Sequence, residues 1–330
     1  MRSINFSELF NSFKNLKVGV IGDMMLDTYW WGKVDRISPE APVPIVTVTK
    51  REQRIGGAGN VALNLAAFGA RVDALGMIGN DEDGAQLTKM LNEKNISAYF
   101  LAESNKRPTT NKIRIISRNQ HMMRLDAEIT EPLSKEEEIE VLNSFSNYLL
   151  QIKPDIVIFE DYNKGVLTPK VIGDAITMCK QNNVLIAVDP KRKNFFCYSG
   201  ADIFKPNLQE AKDSLNIIVD DLDEVDLKNI HDRLKKELNH DISFITLSEK
   251  GVFYNNSEES KIIPTHIRKI ADVSGAGDTV IAVASLVYAS TKDVKLMAEV
   301  SNIAGGLVCE EVGTVAINKE KLIEECDLLL

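Results

Sequence analysis

The chain has 330 residues, a formal net charge of −9 and an ordinary globular composition, enough for one large α/β unit or two smaller ones. The acidic balance excludes a general nucleic-acid binder, since no basic stripe is large enough to track phosphates; a cluster such as Lys191-Arg192-Lys193 remains compatible with a small phosphorylated ligand or a solvated loop. Four cysteines and four histidines lie scattered without a C-x-x-C pair, which argues against zinc or disulfides; with no apolar leader or bilayer-length stretch, a cytoplasmic protein with free thiols is expected, with no membrane partner.

Lys17–Gly22 reads as a short buried strand, followed by Asp23 and Asp27, which are either ligand contacts past a strand end or turn caps. Residues 29–50 change character: Pro39, Pro42 and Pro44 exclude a helix, and residues 45–48 alternate as a half-exposed strand. Residues 97–100, 110–116 and 122–125 are also strand-like with no helices between them. Together they predict a small antiparallel β flap from about 29–50 and 97–125, either a lid or an extension of the main sheet's edge. Between its parts lies Gly56-Gly57-Ala58-Gly59-Asn60, leading into a helix over residues 61–68. Its glycines suit close approach of backbone to a ligand or tight helix packing, and Asn60 carries both a donor and an acceptor.

From residue 83 the pattern alternates. Helices are expected at 83–94, 134–151, 168–181 and, as a charged solvated face, 220–237; Thr168 and Pro169 form a helix start. Strands are expected at 155–159, 184–188, 202–205 and 242–247. This alternation implies a mostly parallel sheet flanked by helices on both faces. Polar residues follow the strands at Asp23, Glu160, Asp161, Asp189, Asn207 and Ser248, and in a parallel sheet such ends converge on one crevice.

The most informative stretch is Asp272-Val273-Ser274-Gly275-Ala276-Gly277-Asp278-Thr279. Residues 280–289 form a helix apolar on nearly every side, hence buried. Gly275 and Gly277 let the chain turn into it, so the first free amides point outward together and favour an anion. Asp278, in that first turn, is placed to accept a proton from a hydroxyl while the Gly275, Ala276 and Gly277 amides hold a transferred group. A plain tight turn with an acidic dipole partner fits the octet equally well. The G-x-G-x-x-G and P-loop fingerprints are absent.

These residues resemble the ribokinase-like, or PfkB, sugar kinases: the octet is similar to their carboxyl-terminal signature, Gly56 to Asn60 to their glycine motif, and Asn207-Leu208-Gln209-Glu210 to their N-x-x-E element. The resemblance implies a single ribokinase-like domain over residues 1–330. ATP would lie along its carboxyl-terminal part, at Asn207, Glu210, Thr246, Ser248, Gly251 and Asn302, with Mg²⁺ held through water by Asn207 and Glu210. It also implies a sugar at Asp27, Gly56, Gly57 and Asn60, a K⁺ site near Asp272, and a homodimer through the flap using Trp30, Trp31 or Val43. A narrower run, Gly32-Lys33-Val34-Asp35-Arg36-Ile37-Ser38-Pro39-Glu40-Ala41-Pro42-Val43-Pro44, with Asp161-Tyr162-Asn163-Lys164-Gly165 and Asp189-Pro190-Lys191, resembles the kinase half of ADP-heptose synthesis enzymes. That half phosphorylates D-glycero-D-manno-heptose 7-phosphate at C1 to supply lipopolysaccharide core. Ser274 and Gly59 are mild departures, and the H-x-G-H sequence of the nucleotidyltransferase half is absent. Arg36 and Lys191 are then expected at the 7-phosphate. The helix start is expected to lower the Asp278 pKa, making it better at orienting a hydroxyl than at removing its proton early. Alternatives are a kinase for ribose, fructose or a nucleoside, or a non-catalytic sugar or nucleotide sensor.

Overall fold

A computed structural model describes residues 4–118, 120–218, 223–311 and 313–330. Its strands are β1 (Lys17–Gly22), β2 (Met24–Ile37), β3 (Pro44–Gly57), β4 (Arg71–Gly79), β5 (Ile96–Ser104), β6 (Thr110–Ser117), β7 (Gln120–Ala127), β8 (Ile156–Glu160), β9 (Leu185–Asp189), β10 (Ile203–Phe204), β11 (Ile242–Thr246), β12 (Val252–Asn255) and β13 (Ser260–Ile263). Its helices are α1 (Phe6–Ser12), α2 (Ala58–Ala67), α3 (Glu82–Glu93), α4 (Lys135–Ile152), α5 (Pro169–Gln181), α6 (Leu208–Leu215), α7 (Glu224–Leu238), α8 (Ala276–Thr291), α9 (Val294–Val308) and α10 (Lys319–Leu329).

Nine strands form one sheet in the order β13-β12-β11-β10-β9-β8-β1-β4-β5, parallel except at the β12 and β13 edge. Alternation along each strand feeds two cores. Val18, Val20, Ile156 and Ile158 face α1, α2 and α8 to α10. Ile21, Val157 and Phe159 face α4, α5 and α7 on the opposite side. Such two-sided burial is why the strands read as continuous apolar runs. Helix α8 is buried from Asp278 to Val287 and packs against α2 and α9.

Local signals explain several boundaries. Thr168 accepts from the Val171 amide with Pro169 at the first helical position of α5. Ser134 and Glu137 cap each other at α4. The charged segment expected at 220–237 is helical from Glu224; residues 219–222 lie outside the described residues.

The small sheet differs from expectation in its members. Its order is β3-β2-β6-β7, with β2 and β6 parallel and its other pairings antiparallel. Residues 97–100, expected in the flap, belong to β5 at the edge of the main sheet, paired in parallel with β4. Their place is taken by β2, which continues from β1 after a single residue, Asp23. A half-exposed edge strand and a lid strand show the same period of two, so pattern alone does not separate them.

Candidate active site

The mouth of α8 is set by Gly275, whose φ of 81° starts the helix without a side-chain cap. A Cβ there would stand 2.8 Å from the Asn60 Nδ2 atom, so glycine allows both the turn and the approach of α2. The Thr279 amide donates to the Gly275 carbonyl at 3.0 Å and the Ala276 amide to the Val273 carbonyl at 3.3 Å. The amides of Gly275, Gly277 and Asp278 have no acceptor among the described residues. The cluster expected from the octet is therefore open at Gly275 and Gly277, while the Ala276 amide is engaged by its own turn.

Asp278 is 7% exposed. Asn60 donates from Nδ2 to its Oδ2 at 2.7 Å, and the Tyr162 hydroxyl donates to its Oδ1 at 2.7 Å. Burial raises its pKa and is the largest influence, ahead of the lowering by the Asn60 and Tyr162 hydrogen bonds; Asp189 raises it further and Lys205 lowers it. This corrects the expectation of a lowered value: the helix start is outweighed by the loss of water. A carboxyl held above its usual range is a better proton acceptor once ionised than the sequence implied.

Three carboxylates from different elements meet here. Oxygen atoms of Glu160, at the end of β8, of Asp189, at the end of β9, and of Asp278 lie within 4.8 Å of one another. The strand register places Gly22, Glu160 and Asp189 side by side, so the expected convergence is realised at the ends of β1, β8 and β9. Glu160 is fully buried and neither of its oxygens has a partner among the described residues. Burial, then the neighbouring Asp189 and Asp278, push its pKa well above the ordinary range. Lys205, 2% exposed, pairs with Asp189 at 2.8 Å.

Asn207 and Glu210 cap α6 reciprocally, each side chain accepting the other's amide at 2.8 Å. The second oxygen of Glu210 accepts from Lys191 at 2.7 Å. Thr246 bridges to Asn207. Ser248 and Gly251 form the turn before β12, and Asn302 on α9 donates to the Pro264 carbonyl at 2.9 Å beyond β13. The oxygen donors that meet at Glu160, Asp189 and Asp278 suit a hard divalent cation.

Asp27 on β2 accepts from Arg114 and sits beside Gly56, where a Cβ would approach its Oδ2 to 2.3 Å. Gly57, with φ of 57° and ψ of −137°, leads into α2 and Asn60. The Asn60 Oδ1 atom is buried without a partner among the described residues. Asp23 is resolved as a loop anchor: it accepts from the amides of Tyr162, Lys164 and Val166 at 2.9, 3.0 and 3.2 Å. Asp161 accepts from Asn163 and Tyr198, and burial lifts its pKa to about 6. Asp272 accepts from Ser274 and from the Gly313 amide, tying two loop segments together.

Arg36 is not brought to this site within one chain. It is exposed near the end of β2, roughly 30 Å along the strand from Asp27 at about 3.3 Å per residue. Lys191 does reach the site, but its amine is held by Glu210. Tyr162 and Lys205 were missed as site residues. Tyr162 lies within the Asp161 to Gly165 run, which assigns it no role, and Lys205 reads from sequence only as the last residue of a strand.

The sequence pattern of the pfkB family carbohydrate kinases matches residues 15–321. The chain belongs to that family. It is a phosphotransferase with an alcohol group as acceptor, and the family implies ATP and a divalent metal. The kinase is 39% identical to the bifunctional protein HldE of Sulfurimonas denitrificans over 93% of this chain and 64% of that protein. It is 40% identical to the bifunctional protein HldE of Nitratiruptor sp. with the same coverage. It thus spans 64% of the length of these curated relatives. Among solved structures, the tetrameric inhibited form of phosphofructokinase-2 from Escherichia coli superposes with a TM-score of 0.76 at 15% identity, covering 94% of the kinase and 99% of that chain. Arabidopsis thaliana ribokinase complexed with ribose and ATP gives 0.72 at 16% identity, covering 94% and 99%. These likenesses establish the ribokinase-like fold.

Proposed function

We propose that the kinase transfers the γ-phosphate of ATP to the C1 hydroxyl of D-glycero-D-manno-heptose 7-phosphate, giving the 1,7-bisphosphate used for lipopolysaccharide core. The observation that carries the chemistry is Asp278, buried at the helix mouth with Asn60 and Tyr162 on its two oxygens and unpartnered acceptors at Asn60 and Glu160 beside it. A polyol satisfies such acceptors with its own hydroxyl hydrogens. The choice of heptose rests on the run from Gly32 to Pro44 and on the likeness to the HldE proteins over 93% of this chain.

In this reading Asp27, Gly56, Gly57 and Asn60 hold the sugar. Asp278 accepts the C1 hydroxyl proton, while the Gly275 and Gly277 amides face the transferred phosphoryl group. Its transition state is loose, so alignment and charge stabilisation matter more than early proton removal. Lys205, beside Gly277, supplies a fixed positive charge at the same mouth. Asn207 and Glu210 would hold Mg²⁺ through water, and the ion would supply positive charge against the charge developing on the phosphates. Thr246, Ser248, Gly251 and Asn302 form the rim for the nucleotide. A K⁺ ion beside the loop that Asp272 ties to Gly313 belongs to the same reading, and turnover in K⁺ compared with Na⁺ measures it. A homodimer through the flap is supported by exposed Ile37, Val43, Met122, Met123 and Leu125; Trp30 and Trp31 are half-buried, and sedimentation of Met123→Lys tests the contact.

Asp278→Asn is expected to fold normally and to lose at least about a hundredfold in kcat. Sugar-dependent ADP release from a panel of phosphorylated and free sugars measures both the loss and the acceptor. A folded Asn variant with near-normal turnover removes the proton-accepting role. Ribose or fructose preferred over heptose 7-phosphate removes the substrate assignment.

A further inference from the structure

The flap's inner face carries a cation that the chemistry described so far does not use. On β6, Lys112 stands opposite Asp27 of β2 in the parallel register, so both point to the same side as the sugar-binding carboxylate. Its amine lies 5.6 Å from the centroid of the Tyr162 ring, whose hydroxyl donates to Asp278. Lys112 is thus about one aromatic ring away from the base, the reach of an extended sugar between its reacting hydroxyl and its far end.

Its neighbours have claimed the available acids. Arg114 pairs with Asp27, and Lys164 pairs with Glu128 at 2.6 Å. Lys112 has no carboxylate within ion-pair distance among the described residues. It is half-buried, and burial and then Lys164 lower its pKa, outweighing the raising by Asp27 and Glu128. A second amine, that of Lys191, stands 5.8 Å from the same ring. A half-buried ammonium without an acid is unfavourable unless an anion completes it.

We propose that Lys112, over the Tyr162 ring, is the anchor for a phosphomonoester on the far end of the acceptor sugar, with Lys191 contributing when Glu210 releases it. This rests on the reading of the protein as a sugar-phosphate kinase, and it moves the distal phosphate from Arg36 to the flap's inner face. A phosphate offers the several acceptor oxygens that a cation at the end of a flexible stem can use, whereas a free hydroxyl leaves the charge uncompensated.

The test uses the full chain, with Lys112→Met to remove the charge at similar length and Lys112→Arg to retain it. Acceptors are heptose 7-phosphate and free heptose, with ribose 5-phosphate and ribose, and fructose 6-phosphate and fructose, as further pairs; thermal unfolding checks the fold. The expected result is that the ratio of kcat/KM for the phosphorylated over the free acceptor falls at least about tenfold in Lys112→Met, the loss of one charge-assisted hydrogen bond. Lys112→Arg is expected to recover part of it. An unchanged ratio in a folded Met variant overturns the proposal while leaving the kinase reading intact, as does a rise confined to the KM for ATP, which assigns the amine to the donor. If the unaltered enzyme prefers another sugar phosphate and Met lowers that preference, the anchor stands and the heptose assignment falls. If the unaltered enzyme prefers no phosphorylated acceptor, both fall.

Discussion

Asp278 is a carboxylate on which burial and hydrogen bonding pull in opposite directions, with burial prevailing. Because the acid form cannot accept a proton, kcat/KM for the sugar should fall as pH drops through this raised pKa, above the usual carboxylate range. Tyr162→Phe removes a hydrogen bond that lowers the pKa, so the acid limb should move to higher pH while kcat falls less than in Asp278→Asn. A pH profile of the two variants measures this, and an unmoved limb assigns Tyr162 a packing role only. Asp278 and Asn60 were legible because each follows a glycine turn into an apolar helix. Tyr162 was not, because its contact joins segments 116 residues apart. The direction of the Asp278 shift was also illegible, since sequence shows the helix start but not the exclusion of water.

Helix α8 and its mouth illustrate what an element adds. Its apolar run predicted burial, and it is buried on both flanks by α2 and α9. Gly275→Ala would meet both a left-handed φ and the Asn60 amide. A strained backbone of this kind costs about 1–2 kcal/mol, so thermal stability should fall modestly and kcat more sharply as Asn60 moves off Asp278. Circular dichroism melting and sugar-dependent ADP release on one preparation separate the two effects. At α6 the sequence offers Asn207 and Glu210 only as an N-x-x-E element; in the structure they also cap the helix, leaving one Glu210 oxygen to Lys191. The flap was legible as a short-stranded region but not in its membership. Its long strands β2 and β3 carry polar and proline positions that hide their continuity, and the β2 and β6 pairing depends on contacts distant in sequence.

Across the whole molecule, stability depends on pH through groups remote from the chemistry. His240 is fully buried, its Nε2 lies 2.6 Å from the Ser243 hydroxyl, and burial depresses its pKa from 6.5 to about 3. A depressed histidine stabilises the fold above its unfolded pKa and loses that contribution as pH falls from 6.5 toward about 3, at about 1.4 kcal/mol per unit. Melting temperatures between pH 7 and 4.5 should therefore decline, and His240→Gln should flatten the slope; an unaltered slope would place the acid sensitivity elsewhere. The parallel architecture was legible because strands and helices alternate after residue 83, whereas the meeting of Asn60 with Asp278, 218 residues apart, was not.

The side chains that align the base come from both ends of the chain: Asn60 meets Asp278, and Asn64 accepts from both Thr279 and the Ile317 amide. During synthesis Asn60 and Asn64 therefore emerge long before Asp278 and Thr279, their partners at the α8 mouth. A chain stalled on the ribosome short of residue 317 leaves Asn64 without one of its two tethers to the C-terminal region. Incomplete translation products should accordingly be inert toward ATP.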